Sequence, residues 1–333
     1  MSLPTGVTNP LTAPSCESNP EFGLPAVWLF PGLGCRFVGM GADILGKHPG
    51  AQKLVAQANE YLGWDVVAAC LEGRGRNFMP PRQESPLIYT VCCVYAAVLL
   101  DLGYHPLAVC GHSLGTWAAV HVAGCYDFLT GLKLVMWVED AMESHVDGRE
   151  QCMGVVIGLP EETLVQICSA ESNACLANIN CPGQYLIGGS TVDVERVLEA
   201  AHRAGAYKTK LMPIARAMHT PLLDELSAEV GRMLTAFPLR PPRVPLVSAW
   251  DGAMLSQTEE IRRYLSDFLA RPVRWETAMR RLLVEPHATF IEVGPAAILS
   301  GMMLFVDGSV RVPTASEVLQ RFKHKSLAAE DAP

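Results

Sequence analysis

The feature that most constrains the fold is the segment PLAVCGHSLGTWAAVHVAG, which begins at Pro106. An apolar run of strand length ends where Gly111 and Gly115 flank Ser113, and an apolar helical pattern follows at once. Small residues at these positions permit the sharp strand-to-helix turn of a nucleophile elbow, in which the serine oxygen stands above the sheet. A GxSxG pattern also occurs in plain tight turns, so the strand and the helix around it carry the prediction.

The rest of the chain extends this pattern into an α/β fold. The segment AVWLFPGLG from Ala26 predicts a strand that breaks into a glycine-containing loop, and strands separated by helices predict a mostly parallel sheet covered on both faces. Between about residues 147 and 213 the order becomes βαββαβ, which is typical of a ferredoxin-like fold. We therefore expect an α/β-hydrolase-like large domain (25–146 and 214–315) with an inserted ferredoxin-like small domain (147–213). A flexible leader (1–24) and a C-terminal tail (316–333) complete the prediction.

The composition excludes several classes of protein. Half of the 333 residues are hydrophobic and 18% are charged, which is typical of a compact enzyme rather than a disordered chain. The net charge of −8 disfavours nucleic acid and anionic membranes as partners, because nothing would offset the repulsion from phosphates. The densest basic stretch is a candidate carrier-protein dock or simply a solvated helix face. It comprises Arg262, Arg263, Arg271, Arg274, Arg280 and Arg281.

The cysteines and the apolar segments indicate a cytoplasmic protein. The eleven cysteines lie mostly in apolar stretches without a CxxC pair, so we expect buried free thiols. The N-terminus lacks the pattern of a signal peptide, and the longest apolar run, Leu87 to Leu100, is too short to span a bilayer. No metal site is predicted, since no His/Cys cluster has ligand spacing. FPGLGCRF also lacks the lysine of a phosphate-binding loop.

Six blocks give the chain a resemblance to the malonyl-CoA:acyl-carrier-protein transacylases and to the acyltransferase domains of polyketide and fatty-acid synthases. The blocks are FPGLG, GHSLGTWAAVHVAGCYDF, ANINCPGQYLIGG, MHTPLLDELSAEV, RPVRW and FIEVGPAAILSGM. They occur in the order and spacing of the family, so the resemblance extends over nearly all of the chain from Trp28 to Met303. The resemblance implies a ping-pong acyltransferase of polyketide-type biosynthesis that moves an acyl group between acyl carrier proteins through a serine ester. It implies no cofactor beyond CoA or the phosphopantetheine arm of the carrier.

The same resemblance assigns the catalytic residues by position. It makes Ser113 the nucleophile and His219 the base that deprotonates it and later protonates the leaving thiol. Phe268 stands where relatives often have Gln or Asn, and its main-chain carbonyl is expected to orient the imidazole. The oxyanion hole is expected to consist of the N–H groups of Leu114 and of Leu33, which replaces the glutamine of FPGQG.

The departure from the family pattern with the largest consequence concerns the acyl pocket. Relatives that use malonyl or methylmalonyl groups have an arginine in the helix that follows the GCYDF segment, and that position here is Val138. Its neighbours Met136 and Trp137 are also apolar, and Arg149 is a full helix away. Because a buried carboxylate without a cationic partner costs several kcal/mol, roughly, the sequence predicts an acyl group that lacks a free carboxylate.

The residues before the catalytic histidine leave an alternative open. Arg216, Ala217 and Met218 match neither the malonyl nor the methylmalonyl pattern, and Arg216 could supply the missing charge from the other side of the pocket. We expect Trp137, Met218, His112 and Asn178 to line the pocket together with Val138. The preferred cargo is aminoacyl or dipeptidyl, as in the stand-alone enzymes of macrolactam assembly that the chain resembles. An acyl hydrolase that clears carrier proteins and an ordinary malonyl transacylase are the alternatives.

Overall fold

The structure, a computed structural model, describes residues 26–72, 79–146, 148–284 and 288–330, so the expected leader lies outside the described residues. The strands are β1 (Ala26–Phe30), β2 (Pro106–Gly111), β3 (Gln151–Ile157), β4 (Ala174–Cys181), β5 (Gln184–Ser190), β6 (Lys208–Leu211), β7 (Leu246–Val247), β8 (Met254–Leu255), β9 (Val273–Arg274) and β10 (Phe290–Glu292). The helices are α1 (Pro49–Leu62), α2 (Val66–Leu71), α3 (Pro81–Asp101), α4 (Gly115–Val122), α5 (Phe128–Val146), α6 (Glu161–Ser169), α7 (Thr191–Arg203), α8 (Asp224–Leu234), α9 (Thr258–Asp267), α10 (Trp275–Leu283), α11 (Ile298–Val306) and α12 (Ala315–Glu330).

The large sheet confirms the predicted α/β class. Its strand order is β10-β1-β2-β7-β8, with parallel pairs throughout except for the antiparallel β8. Strand β1 is buried along its whole length, and its side chains alternate between two cores. Trp28 and Phe30 pack with α3, α4 and α5, whereas Val27 and Leu29 pack with α10 and α11. This alternation shows that helices cover both faces of the sheet.

The small sheet confirms the ferredoxin-like insertion. Strands β3 to β6 pair antiparallel in the order β6-β3-β5-β4, and α6 and α7 pack on one face over a separate core. The two-residue strand β9, from a later part of the chain, pairs parallel with β4. The small sheet is therefore hydrogen-bonded to the large domain, while the predicted domain bounds at residues 147 and 213 stay predictions.

Helix α3 is a core helix, although it is longer than the apolar run that predicts it. It has 21 residues, and by length and composition it is the one helix of the described residues that could cross a membrane. Its most apolar window is 78% buried. The hydroxyls of Tyr89 and Tyr95 donate to the Phe128 carbonyl and to Asp43 Oδ1, at 3.0 and 2.7 Å. These contacts are those of a helix enclosed by protein.

The expectation of a tail from residue 316 is wrong for most of that segment. Residues Ala315–Glu330 form α12, and Ala315, Val318 and Leu319 are buried in the larger core. These apolar side chains recur at helical spacing, so burying them favours a helix. Residues 331–333 lie outside the described part of the chain.

Candidate active site

Ser113 lies in the sharp turn between β2 and α4, as the GHSLG pattern predicts. Its φ of +51° is in the left-handed region, which is strained for a residue with a side chain. Both flanking positions require glycine because there is no room for a side chain. A Cβ on Gly115 would lie 2.1 Å from the Phe30 carbonyl oxygen, and one on Gly111 would lie 2.3 Å from the Thr116 nitrogen. The turn can form only because both positions lack side chains.

His219 is placed to interact directly with the serine. Its Nε2 lies 2.8 Å from Ser113 Oγ, and its Nδ1 lies 2.8 Å from the carbonyl oxygen of Phe268. Because a carbonyl can only accept a hydrogen bond, Nδ1 carries the proton and Nε2 is free to accept from the serine hydroxyl. The backbone N–H of His219 donates to the Leu269 carbonyl at 2.7 Å, which fixes the residue at a φ of +61°.

The surroundings of His219 keep its ring neutral. The residue is 2% exposed, and this burial lowers its pKa to about 4, while the hydrogen bond to the Phe268 carbonyl opposes the shift. The nearby His112 lowers the pKa further. A neutral imidazole beside a serine hydroxyl is the form that can take up its proton.

The loop after β1 packs directly against the elbow. A Cβ on Gly32 would lie 2.7 Å from the His112 carbonyl oxygen and 3.2 Å from Ser113 Cβ. Only a glycine permits this approach, which brings Leu33 and Leu114 to line one pocket with Ser113.

The pocket beside Ser113 contains some of the predicted residues and lacks others. It is lined by Leu33, Ser113, Leu114, Trp117, Val135, Val138, Glu139, Met142, Arg216, Met218, Phe268 and Leu269. Its cavity volume is about 20 Å³, so an acyl chain must displace lining side chains, of which Met142 and Met218 are the most adaptable. Trp137 instead lines a separate polar groove with Asp140 and His145, because adjacent residues on a helix point about 100° apart.

His112 and Asn178 are not among the residues that line this pocket. His112 Nε2 lies 2.9 Å from Asn180 Oδ1, and its ring meets Trp275 edge-on with 5.3 Å between the ring centroids. Asn178 is buried on β4, and its Oδ1 has no hydrogen-bond partner among the described residues. The elbow histidine therefore connects the large domain to the small sheet.

An ion pair that the sequence reasoning missed lies in the pocket. Arg216 Nη1 is 2.5 Å from Glu139 Oε2, and Ser85 Oγ donates to Glu139 Oε1 at 2.6 Å. The Arg216 and Glu139 side chains are 11% and 8% exposed. Glu139 directly follows Val138, but its position beside Asp140 and Glu143 on one helix gives no signal of its partner.

The basic stretch is largely neutralised by its neighbours. Each of its arginines except Arg281 has a carboxylate oxygen within 4 Å, and Arg281 contacts the Asp251 carbonyl. These pairs favour the interpretation as a solvated face. In the part of the chain that the structure describes, no group of three or more His, Cys, Asp or Glu side chains could hold a metal ion.

Comparison with known proteins agrees with this geometry. The family model described as an acyl transferase domain matches residues 27–306. A malonyl CoA-acyl carrier protein transacylase of Bacillus subtilis is 29% identical over 87% of this chain and 93% of the relative. The polyketide biosynthesis malonyl CoA-acyl carrier protein transacylase BaeC of Bacillus velezensis is 31% identical over 83% of this chain and 94% of the relative. A solved chain from the complex of a type II PKS acyl-carrier protein with its malonyl-transacylase, PlMCAT:AntF, has a TM-score of 0.83 at 26% identity, covering 87% of this chain and 96% of that chain. The chain therefore belongs to the acyl transferase family.

Proposed function

We propose that this enzyme transfers an acyl group without a free carboxylate between acyl carrier proteins, through an ester on Ser113. The observation that carries the proposal is the hydrogen-bonded series from Ser113 Oγ to His219 Nε2 and from His219 Nδ1 to the Phe268 carbonyl. A serine hydroxyl is a weak nucleophile until a positioned base removes its proton, and this arrangement supplies the base.

The reaction proceeds in two matching halves. Ser113 Oγ attacks the thioester carbonyl while His219 Nε2 takes up the hydroxyl proton. The tetrahedral intermediate collapses to the serine ester, the carbon–sulfur bond breaks, and the imidazolium returns its proton to the leaving thiol. The acceptor thiol then gives its proton to His219 Nε2 and attacks the ester carbonyl. The second tetrahedral intermediate collapses, the bond between the acyl carbon and Ser113 Oγ breaks, and the imidazolium returns its proton to Ser113 Oγ. The Phe268 carbonyl holds the ring in the required tautomer throughout.

We assign stabilisation of the oxyanion to the backbone N–H groups of Leu33 and Leu114. Both residues line the pocket with Ser113, and Gly32 holds the Leu33 loop against the elbow. Preformed backbone donors of this kind lower the barrier, and losing one costs about 10²- to 10³-fold in rate. A leucine in place of the family's glutamine leaves the backbone donor intact.

The selection against carboxylated acyl groups is inferred from the pocket walls. Val138 lines the pocket where relatives specific for malonyl groups have an arginine, and Arg216, which also lines it, is paired with Glu139. An incoming carboxylate would meet Glu139 as well as Arg216. The proposed cargo is therefore uncarboxylated, with aminoacyl and dipeptidyl groups as the preferred candidates.

A malonyl transacylase is the second candidate, and it is favoured by the names of the relatives. The similar proteins of Bacillus subtilis and Bacillus velezensis both carry that name. In this case a malonyl carboxylate would have to displace Glu139 from Arg216.

The partners follow from the same comparisons. Relatives are named for their action on acyl carrier proteins, and a similar solved chain comes from a complex with one. We extend that partner to this chain, with CoA or phosphopantetheine as the carrier of the acyl group and no further cofactor. Nucleic acid and membrane partners are not proposed. A cytoplasmic location and a role in polyketide-type biosynthesis complete the proposal.

The test is acyl loading of the purified protein, followed by intact mass spectrometry. Malonyl-CoA and aminoacyl or dipeptidyl carrier proteins are offered separately, and the acyl-enzyme is then challenged with holo carrier protein. The uncarboxylated donor should load Ser113 and discharge to the carrier. Ready malonyl loading would favour the second candidate, rapid loss to water would indicate a hydrolase, and loading of Ser113→Ala would refute the mechanism.

A further inference from the structure

We propose that Glu139 is a specificity-determining residue that neutralises Arg216 and thereby excludes carboxylated acyl groups. The inference rests on the proposed function and deepens it, because it names the side chain that sets the substrate class. The class is thioesters of acyl chains whose end in this pocket is neutral, such as an amide, rather than an anion.

The ion pair lies inside the pocket beside Ser113. Arg216 and Glu139 both line this cavity, with 2.5 Å between Arg216 Nη1 and Glu139 Oε2. Arg216 precedes His219 by three residues, whereas Glu139 is on α5 beside Val138. The cation therefore meets its counter-charge within the pocket that is proposed to receive the acyl group.

Glu139 is held in place independently of Arg216. Ser85, which is fully buried in α3, donates to Glu139 Oε1 at 2.6 Å. This contact leaves Oε2 aimed at the guanidinium. A carboxylated substrate would have to break a buried ion pair and approach a second carboxylate, which is costly away from water. A neutral amide can instead accept from the remaining guanidinium N–H groups or donate to Glu139 without separating the charges.

If Glu139 neutralises Arg216, removing the negative charge of Glu139 should increase the rate at which Ser113 is malonylated. Glu139→Gln keeps the side-chain size and an oxygen that can accept from Ser85, but it leaves Arg216 with an uncompensated positive charge. A malonyl carboxylate could then take the place of Glu139 as its partner. Malonylation of Ser113 should become faster, on the order of 10- to 1000-fold, the range expected for one ion pair at an effective dielectric constant of about 20 or more.

The experiment measures the rate of malonyl-Ser113 formation from malonyl-CoA by intact mass spectrometry, with acetyl-CoA as a neutral competitor. Glu143→Gln, an exposed acid on the same helix, is the matched control and should load like the wild type. Adding Arg216→Gln to Glu139→Gln should abolish the gain. Thermal melting and labelling of Ser113 by a fluorophosphonate report whether each variant is folded with a working dyad.

The outcomes for the inference and for the proposed function are separate. Ready malonylation of wild-type Ser113 would contradict the proposed function, which excludes carboxylated acyl groups. If folded Glu139→Gln gains no malonylation over the wild type, or if the gain persists without Arg216, the inference is overturned. Should Glu139→Gln not fold, Glu139→Ala removes the same charge and carries the same expectation.

Discussion

The contact between Gly32 and the elbow gives the sharpest test of the oxyanion assignment. In Gly32→Ala, the new Cβ would lie 2.7 Å from the His112 carbonyl oxygen and 3.3 Å from the Leu114 nitrogen. Ordinary carbon–oxygen contacts are about 3.3 to 3.6 Å, so the loop must withdraw from the elbow by about 0.6 Å or more. Neither neighbour can yield easily, because both atoms belong to the backbone.

This displacement predicts a loss of rate larger than the loss of stability. An oxyanion donor works at about 2.7 to 3.1 Å, so withdrawing Leu33 N by this amount removes its contribution, about 10²- to 10³-fold in rate. Crowding of this kind costs about 1 to 3 kcal/mol in the free energy of unfolding. The assay combines single-turnover acylation of Ser113 with urea denaturation.

A glycine on α11 provides the matched control. Apart from its two chain neighbours and the nearby backbone of α11, no heavy atom of the described residues lies within 4 Å of a Cβ built on Gly301. Gly301→Ala should therefore leave the acylation rate unchanged and raise the free energy of unfolding by about 0.5 to 1 kcal/mol, the usual gain for alanine inside a helix. If Gly32→Ala folds and acylates Ser113 as fast as the wild type, Leu33 is not an oxyanion donor and the reasoning fails.

Two further expectations concern pH and a buried acid. Acylation of Ser113 should change little from about pH 8 to about pH 5 and fall only near the His219 pKa of about 4, so an acid limb near pH 6.5 in the rate profile would contradict the assigned base. Because burial lowers this pKa from an unfolded value of about 6.5, the unfolded chain binds the proton more tightly. The free energy of unfolding should therefore fall between about pH 6.5 and pH 4, by on the order of 3 kcal/mol, and His219→Gln should flatten that slope in urea titrations. The buried Glu292 accepts from the N–H groups of Ile298, Leu299 and Ser300 and from the Ser300 hydroxyl, so Glu292→Gln should destabilise the fold by about 1.5 to 3 kcal/mol for each bond lost. The exposed control Glu162→Gln removes a charge from the first turn of α6 and should lower the free energy of unfolding by no more than about 0.3 to 1 kcal/mol. An equally small effect at Glu292 would show that its capping of α11 is dispensable.

The elbow was predictable because its requirements are local. Strand β2 ends at Gly111 and helix α4 begins at Gly115, where the sequence pattern places them. The backbone needs small residues at both ends of so sharp a turn, and this need is visible in five letters of sequence. The histidine partner of Ser113 could not be predicted from a local pattern, because His219 is 106 residues away in the sequence. Only the resemblance to the family identified it.

The pocket was only partly predictable because its chemistry depends on distant contacts. The replacement of an arginine by Val138 can be found by alignment, but Glu139 and Arg216 are 77 residues apart and meet only in the fold. Trp137 was misplaced because the sequence position did not settle which side of α5 it covers. The two-residue strand β9 is too short for a period-2 pattern, so its pairing with β4 leaves no local signal.

The left-handed backbone conformation at Ser113 and at His219 lowers the stability of the molecule. These are the only non-glycine residues with a positive φ in the described parts of the chain. Each such conformation costs about 1 to 2 kcal/mol, and glycine would relieve it at either position. The proposed nucleophile and its proposed base are therefore retained at the expense of stability. A programme of directed evolution that scored heat resistance alone would find its easiest gains by replacing either residue with glycine, so any such screen on this scaffold must select for turnover at the same time.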